Sequence, residues 1–229
     1  MRVPDPVLVF LIFLLPVGGL SVTAGLLSVR RDPAPIQAPQ DPTAQPAADP
    51  LAAVRASAQH VALVDGWMGS GSGFPVATVG GRTAYLTAGH VVRTAGPHSV
   101  VLADGRSLPI VRMDLPPDQS LDAGLVWVDG VESVIGIGPA PAPLARVWSA
   151  GWPQGVALVL SEGYEAGSIV RRPTGLGACS AMVCHGSSGG AVLDAEGHAV
   201  GIVVQLWEFV AVYVPIDAAM PWVAESLAR

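Results

Sequence analysis

Three short stretches carry residues that could do chemistry together: "LTAGHVV" at 86–92, "SLDAGLVWV" at 120–128 and "CHGSSGGAV" at 184–192. Acyl transfer by a serine hydroxyl needs an imidazole to take the hydroxyl proton and a carboxylate to orient that imidazole. It also needs backbone N–H groups to receive the developing oxyanion. His90 is the candidate imidazole, placed after an apolar run and a small Ala-Gly pair that would hold its ring at a strand end. Asp122 is the candidate carboxylate. It precedes Leu125, Val126, Trp127 and Val128, and a carboxylate entering a buried strand is costly unless hydrogen-bonded. Asp114 and Asp118 are nearby rivals in a proline-rich loop, but only Asp122 starts the apolar strand. Ser187 and Ser188 stand together in the third stretch, and residue type alone does not separate a nucleophile from an ordinary turn.

The elements that must position these residues are short. From residue 60 onward, segments rich in valine, leucine and isoleucine alternate with glycine, proline and aspartate, as in "GSGFPVATVGG", "TAYLTAG", "AGLVWVD" and "AVGIVVQL". Closely spaced strands with turn signals indicate an antiparallel sandwich or barrels. "GIGPAPAPL" at 136–144 reads as a connector between two comparable halves, a first unit at 56–138 and a second at 139–229. "IDAAMPWVAESLAR" reads as a closing helix, with Asp217 as its N-cap and Pro221 tolerable only near its start. Residues 51–60 are alanine-rich and fit either a short helix or the approach to the first strand.

The N-terminal region reads differently. Residues 7–27 run without a charge, long enough to cross a bilayer as a helix, so 1–31 is expected to be a membrane anchor or a secretory signal with a cleavage site after Ala24. The arginines flanking this stretch would put the following domain in the cytoplasm, which conflicts with an exported domain. The proline- and alanine-rich residues 32–55 form an extended linker.

Composition excludes several classes. The net charge is −6, and all 12 basic residues are arginine. This offers no basic surface for nucleic acid, so none is expected as a partner. A hydrophobic fraction of 51% supports a real core. The other histidines, His60, His98, His185 and His198, are not spaced as a metal cluster, and neither metal nor other cofactor is expected.

Taken in chain order, "TAGHVV", "DAGLV" and "GSSGGAV" resemble the histidine, aspartate and nucleophile motifs of the trypsin- and chymotrypsin-like serine proteases, and "GSGSGF" at 69–74 is similar to the opening strand of their compact bacterial members. The resemblance spans about residues 58–226. It implies an all-β fold of two six-stranded antiparallel barrels with a C-terminal helix, and an endopeptidase acting on protein or peptide substrates. The alternative is a catalytically silent binding module of the same fold at a membrane or particle surface. By the same resemblance the nucleophile is Ser188, the base His90 and the orienting carboxylate Asp122, while Gly186 and Ser188 offer the oxyanion-hole N–H groups. Met182 takes the base of the specificity pocket, and Val204, Gln205 and Leu206 pair with substrate backbone. Ala211 stands where the family has a pocket glycine. Without a carboxylate at the pocket base, small or medium apolar side chains are the expected specificity. Cys184 matches a family cysteine whose distant partner is absent here, which leaves a local Cys179–Cys184 disulfide or two buried thiols.

Overall fold

The computed structural model describes residue 49 and residues 51–169 and 175–229. The apolar segment expected to anchor or export the chain, residues 7–27, lies outside these residues, as does most of the linker. Among the described residues no helix is long and apolar enough to cross a membrane.

The short apolar runs fold into twelve strands closed into two barrels. The first contains β1 (Ala62–Gly66), β2 (Gly69–Val79), β3 (Arg82–Thr87), β4 (Pro97–Val101), β5 (Ser107–Asp114) and β6 (Gly124–Asp129), hydrogen-bonded in the order β1-β2-β3-β6-β5-β4. The second contains β7 (Arg146–Gly151), β8 (Val159–Ile169), β9 (Leu176–Cys179), β10 (Ala191–Leu193), β11 (Ala199–Trp207) and β12 (Val210–Pro215), in the order β7-β8-β9-β12-β11-β10. Closure pairs every strand on both sides and removes the exposed edges that invite aggregation. Strand β6, the apolar "GLVWVD" run, is buried at all but its last position, whereas β5 alternates exposed and half-buried residues. Phe74, Leu86 and Leu125 fill the first unit and Leu193 and Ile202 the second, each fully buried. Burial of side chains this size stabilises by about 1.5–3 kcal/mol each. The second barrel also buries Glu165, which is satisfied by the Tyr213 hydroxyl at 2.7 Å. Burial and the neighbouring carboxylate push the Tyr213 phenol up, so it remains a donor.

Three helices accompany the barrels: α1 (Ala52–Ala58), α2 (Gly89–Thr94) and α3 (Ile216–Leu227). The alanine-rich stretch is thus helical, and α1 runs across the expected linker boundary at 55/56, burying Val54 and Ala58. The connector is pinned to the second barrel, where Ala199 N–H donates to Gly136 O and Gly138 N–H to Ala199 O. In α3 the cap position is held by Pro215 without a side-chain cap, so Asp217 lies in the first turn and is not the N-cap expected from the sequence. Pro221 sits sixth in this helix, on its exposed side, while Ile216, Ala219, Trp222, Val223 and Ser226 form the buried face.

Helix α3 packs against β11 and β12 of the second barrel and is also hydrogen-bonded to the first. Asp114 Oδ2 at the end of β5 accepts from Ser226 Oγ at 2.7 Å and from Trp127 Nε1 at 2.8 Å, and pairs with Arg112 at 2.9 Å. The Arg112 guanidinium lies over the Trp127 ring, 4.9 Å from its centroid.

Candidate active site

Thr87 ends β3, Ala88 is extended, and Gly89 begins α2, so His90 is carried on the first turn of a short helix anchored by the buried Val91. Asp122 lies in the loop just before β6. Its Oδ2 is 2.7 Å from His90 Nδ1, and its Oδ1 accepts the His90 backbone N–H at 2.7 Å. One carboxylate therefore fixes both the helix start and the ring. Arg93, one turn along α2, donates to Asp122 Oδ1 at 2.9 Å. Burial works against the charged carboxylate, but the hydrogen bonds of His90 and the charge of Arg93 outweigh it and hold Asp122 below the usual carboxylate range. An ionised carboxylate can only accept, so the tautomer this contact selects for a neutral imidazole carries its proton on Nδ1 and has the lone pair on Nε2.

The rival aspartates have other tasks. Asp114 is the strap between β5, Trp127 and α3 described above. Asp118 closes a local turn by accepting from Ser120 N–H and its hydroxyl, both at 2.9 Å.

The two serines also separate. Ser187 is buried, and its Oγ accepts the Cys184 N–H at 3.2 Å inside the turn. Ser188 is half-buried and lines two adjoining clefts that it shares with His90. One cleft is bounded by Val204, Gln205 and Leu206 with Val183, Cys184 and Val203; the other by Met68, Ser70, Val91 and Thr94.

The peptide planes of this loop are held one by one. Gln154 N–H donates to His185 O at 2.7 Å, and Gly190 N–H donates to Ser187 O at 2.9 Å. Because a trans peptide sets C=O and N–H on opposite sides, these bonds turn the N–H groups of Gly186 and Ser188 the other way. Among the described residues neither N–H has a partner, whereas Ser187 N–H donates to Cys184 O and Gly189 N–H to Val203 O. Two free donors thus alternate with two occupied ones. The geometry needs glycine at both bends: Gly186 has φ +91° and Gly189 φ +87°. A Cβ on Gly186 would come within 2.5 Å of Gln154 N, and one on Gly189 would strike Ser72 O. Gln154 itself has φ +54°, an uncommon left-handed conformation for a non-glycine residue.

Not every residue singled out from the sequence reaches this cleft. Met182 is exposed and lines a largely apolar cavity with Pro153, Val159 and Ser187, which adjoins the Ser188 cleft through Val183, Cys184 and Val203. Ala211 is buried on β12 between Leu206 and Cys179, its register partners. The disulfide weighed from the sequence is not formed. Cys179 is a buried free thiol, pushed up by burial, and Cys184 is an exposed free thiol, so the alternative of two buried thiols holds for Cys179 alone. Residues the sequence did not single out are Arg93, one helical turn from His90, and Ser72 and Gln154, which meet the nucleophile loop only through space.

A family model described as a trypsin-like peptidase domain matches residues 71–202, more than half of the chain and all three motifs. The chain belongs to the trypsin-like peptidase family. It is a serine-type endopeptidase by that membership. This trypsin-like peptidase is also similar in fold to a serine endoprotease from Yersinia pestis whose crystal structure is known. The two share 23% sequence identity and a TM-score of 0.68, over 80% of this chain and 68% of the other. No curated protein sequence matches the peptidase.

Proposed function

We propose that this peptidase cleaves extended protein segments through an acyl-enzyme at Ser188, with His90 as base and Asp122 as its orienting carboxylate. The observation that carries the reading is the ordered His90–Asp122 pair at the two clefts that His90 shares with Ser188, and not with Ser187. Ser188 Oγ bonds to the scissile carbonyl carbon as its proton passes to His90 Nε2. The tetrahedral intermediate places its negative oxygen on the N–H groups of Gly186 and Ser188. Collapse breaks the C–N bond while Nε2 hands its proton to the leaving amine. Water then gives a proton to Nε2 and attacks the acyl carbon, and the C–Oγ bond breaks as Ser188 recovers its proton. Asp122 keeps the imidazolium oriented throughout and stays ionised.

The cleft beside Val204, Gln205 and Leu206 has walls of Val183, Val203 and Val204 and no carboxylate, which favours small or medium apolar side chains before the cleaved bond and disfavours lysine or arginine. Residues 7–27 hold the domain at a membrane or direct its export, a role supported by their uncharged length.

Labelling with a tagged fluorophosphonate tests the reading. The native protein is expected to take one label, mapped to Ser188, and the Ser188→Ala and His90→Ala variants none. A folded native protein that stays unlabelled would overturn it.

A further inference from the structure

We infer that Ser72, on β2 of the first barrel, is a positioning residue for the oxyanion hole of the second; this rests on the acyl-transfer role proposed for Ser188. Four consecutive carbonyls of the nucleophile loop, from His185 to Ser188, are each held by a named donor, and Ser72 supplies two of the four. Its Oγ donates to Gly186 O at 2.8 Å, and its backbone N–H donates to Ser188 O at 2.7 Å. The peptides held by Ser72 therefore alternate with the two whose N–H groups are free to meet an oxyanion. Rotation of the peptide after Gly186 would change the same residue's dihedrals and swing its N–H out of the site.

The direction of the hydroxyl is set as well. Trp152 N–H donates to Ser72 Oγ at 2.8 Å, which occupies an acceptor position and leaves the hydroxyl hydrogen for Gly186 O. Trp152 opens the turn Pro153–Gly155, whose Gln154 N–H holds the His185 carbonyl. One oxygen thus ties together β2, the Trp152–Gly155 turn and the nucleophile loop. The brace is itself fixed: Ser72 is fully buried, and its carbonyl accepts from Thr87 Oγ1 at 2.6 Å at the end of β3. Without the hydroxyl, the Gly186 carbonyl and the Trp152 N–H both lose their partner at the interface of the barrels.

Ser72 touches no substrate in this role, so the test must separate positioning from folding. Active sites of wild type and Ser72→Ala are counted by fluorophosphonate labelling run to completion, and peptide hydrolysis is expressed per labelled site. The expected result is a kcat per site lower by about 10- to 100-fold with KM changed by less than about threefold. A peptide aldehyde, whose adduct places an oxyanion in the hole, should lose affinity by the same factor, while the cleaved product peptide binds as before. An unchanged kcat per site, an effect on KM alone, or undiminished aldehyde affinity would overturn the inference. If Ser72→Ala yields no labelled sites, Ser72→Cys, which keeps a weaker donor, carries the same measurements with an intermediate loss expected. Failure of the wild type to label is a separate outcome, which removes the acyl-transfer reading itself.

Discussion

The join between the third and fourth strands is where the two barrels differ most. In the first barrel, β3 runs through Ala88 into α2, a regular helical turn whose backbone bonds are largely internal, so it presents a side chain, His90. In the second, β9 and β10 are joined by the nucleophile loop, whose peptides are held individually and leave the N–H groups of Gly186 and Ser188 open. The strand order is the same. A short helix whose N–H groups already have partners, as His90 N–H has Asp122, offers the site its side chains. An irregular loop can offer backbone donors, but it needs outside partners to hold it, and here these come from Ser72 of the other barrel and Gln154. The joins between fifth and sixth strands diverge in the same spirit. The first barrel places Asp122 there, and the second makes a tight turn through Glu208 with Trp207 and Phe209 exposed.

The comparison breaks most severely at the two equivalent joins. Ser188→Ala and His90→Ala should each lower kcat by roughly 10⁶-fold, and the double variant should lose little more, because the pair acts as a unit. Independent, additive losses in peptide hydrolysis would mean that the joins do not cooperate.

A second contrast lies within the first barrel, between two half-buried carboxylates. Asp122→Asn should reduce kcat by about 10⁴-fold by presenting the wrong ring tautomer, with little change in thermal midpoint. Asp114→Asn should do the reverse, lowering stability by about 1–3 kcal/mol as the Arg112–Ser226 strap loosens, with kcat per labelled site unchanged. Thermal melts and titrated kinetics on both variants decide whether the roles are so divided.

Acid sensitivity sharpens the same pair. Asp122 has its carboxyl pKa lowered in the folded state, so its contribution to stability is complete above the unfolded carboxylate pKa and is lost as pH falls through the lower folded value. Arg93→Gln removes one cause of that lowering, so the loss, which starts from the same unfolded pKa, should be smaller and be complete at higher pH than in wild type. Thermal midpoints measured across the acid range would show it, and coincident curves would remove Arg93 from the account. The smallest effect concerns the thiols: in the native protein one cysteine, Cys184, should react promptly with a thiol reagent, and Cys179 only on unfolding. Two unreactive sulfurs in the native, unreduced protein would favour a bridge instead.

Much of this arrangement was legible from local sequence. His90, Asp122 and Ser188 stand beside strand ends whose apolar runs are plain, and a strand end is a local property. The two-barrel fold followed from the resemblance of the three motifs, and the structure has it. What stayed hidden was fixed through space. Nothing near Ser72 announces that its hydroxyl meets a carbonyl 114 residues away, nor does Asp217 reveal that Pro215 precedes it at the cap position. Met182, carried over as the base of the specificity pocket, lines an apolar cavity that shares Val183, Cys184 and Val203 with the Ser188 cleft. The cysteine pair was undecided because a separation of four residues fixes neither burial nor side-chain direction, and here one sulfur is inside and the other outside.

The contact between Ser72 and Gly186 has a consequence for the order of events during folding. Like the Asp114–Ser226 bond across 112 residues, it joins segments far apart in the chain, and such contacts form late because long loops must close first. A chain with only its first barrel formed has a base without a nucleophile, and one with only its second has a nucleophile loop without its brace. Proteolytic competence should therefore appear after both barrels have collapsed, at the rate of their docking, so newly made chains pass through their most exposed stage before they can cut one another.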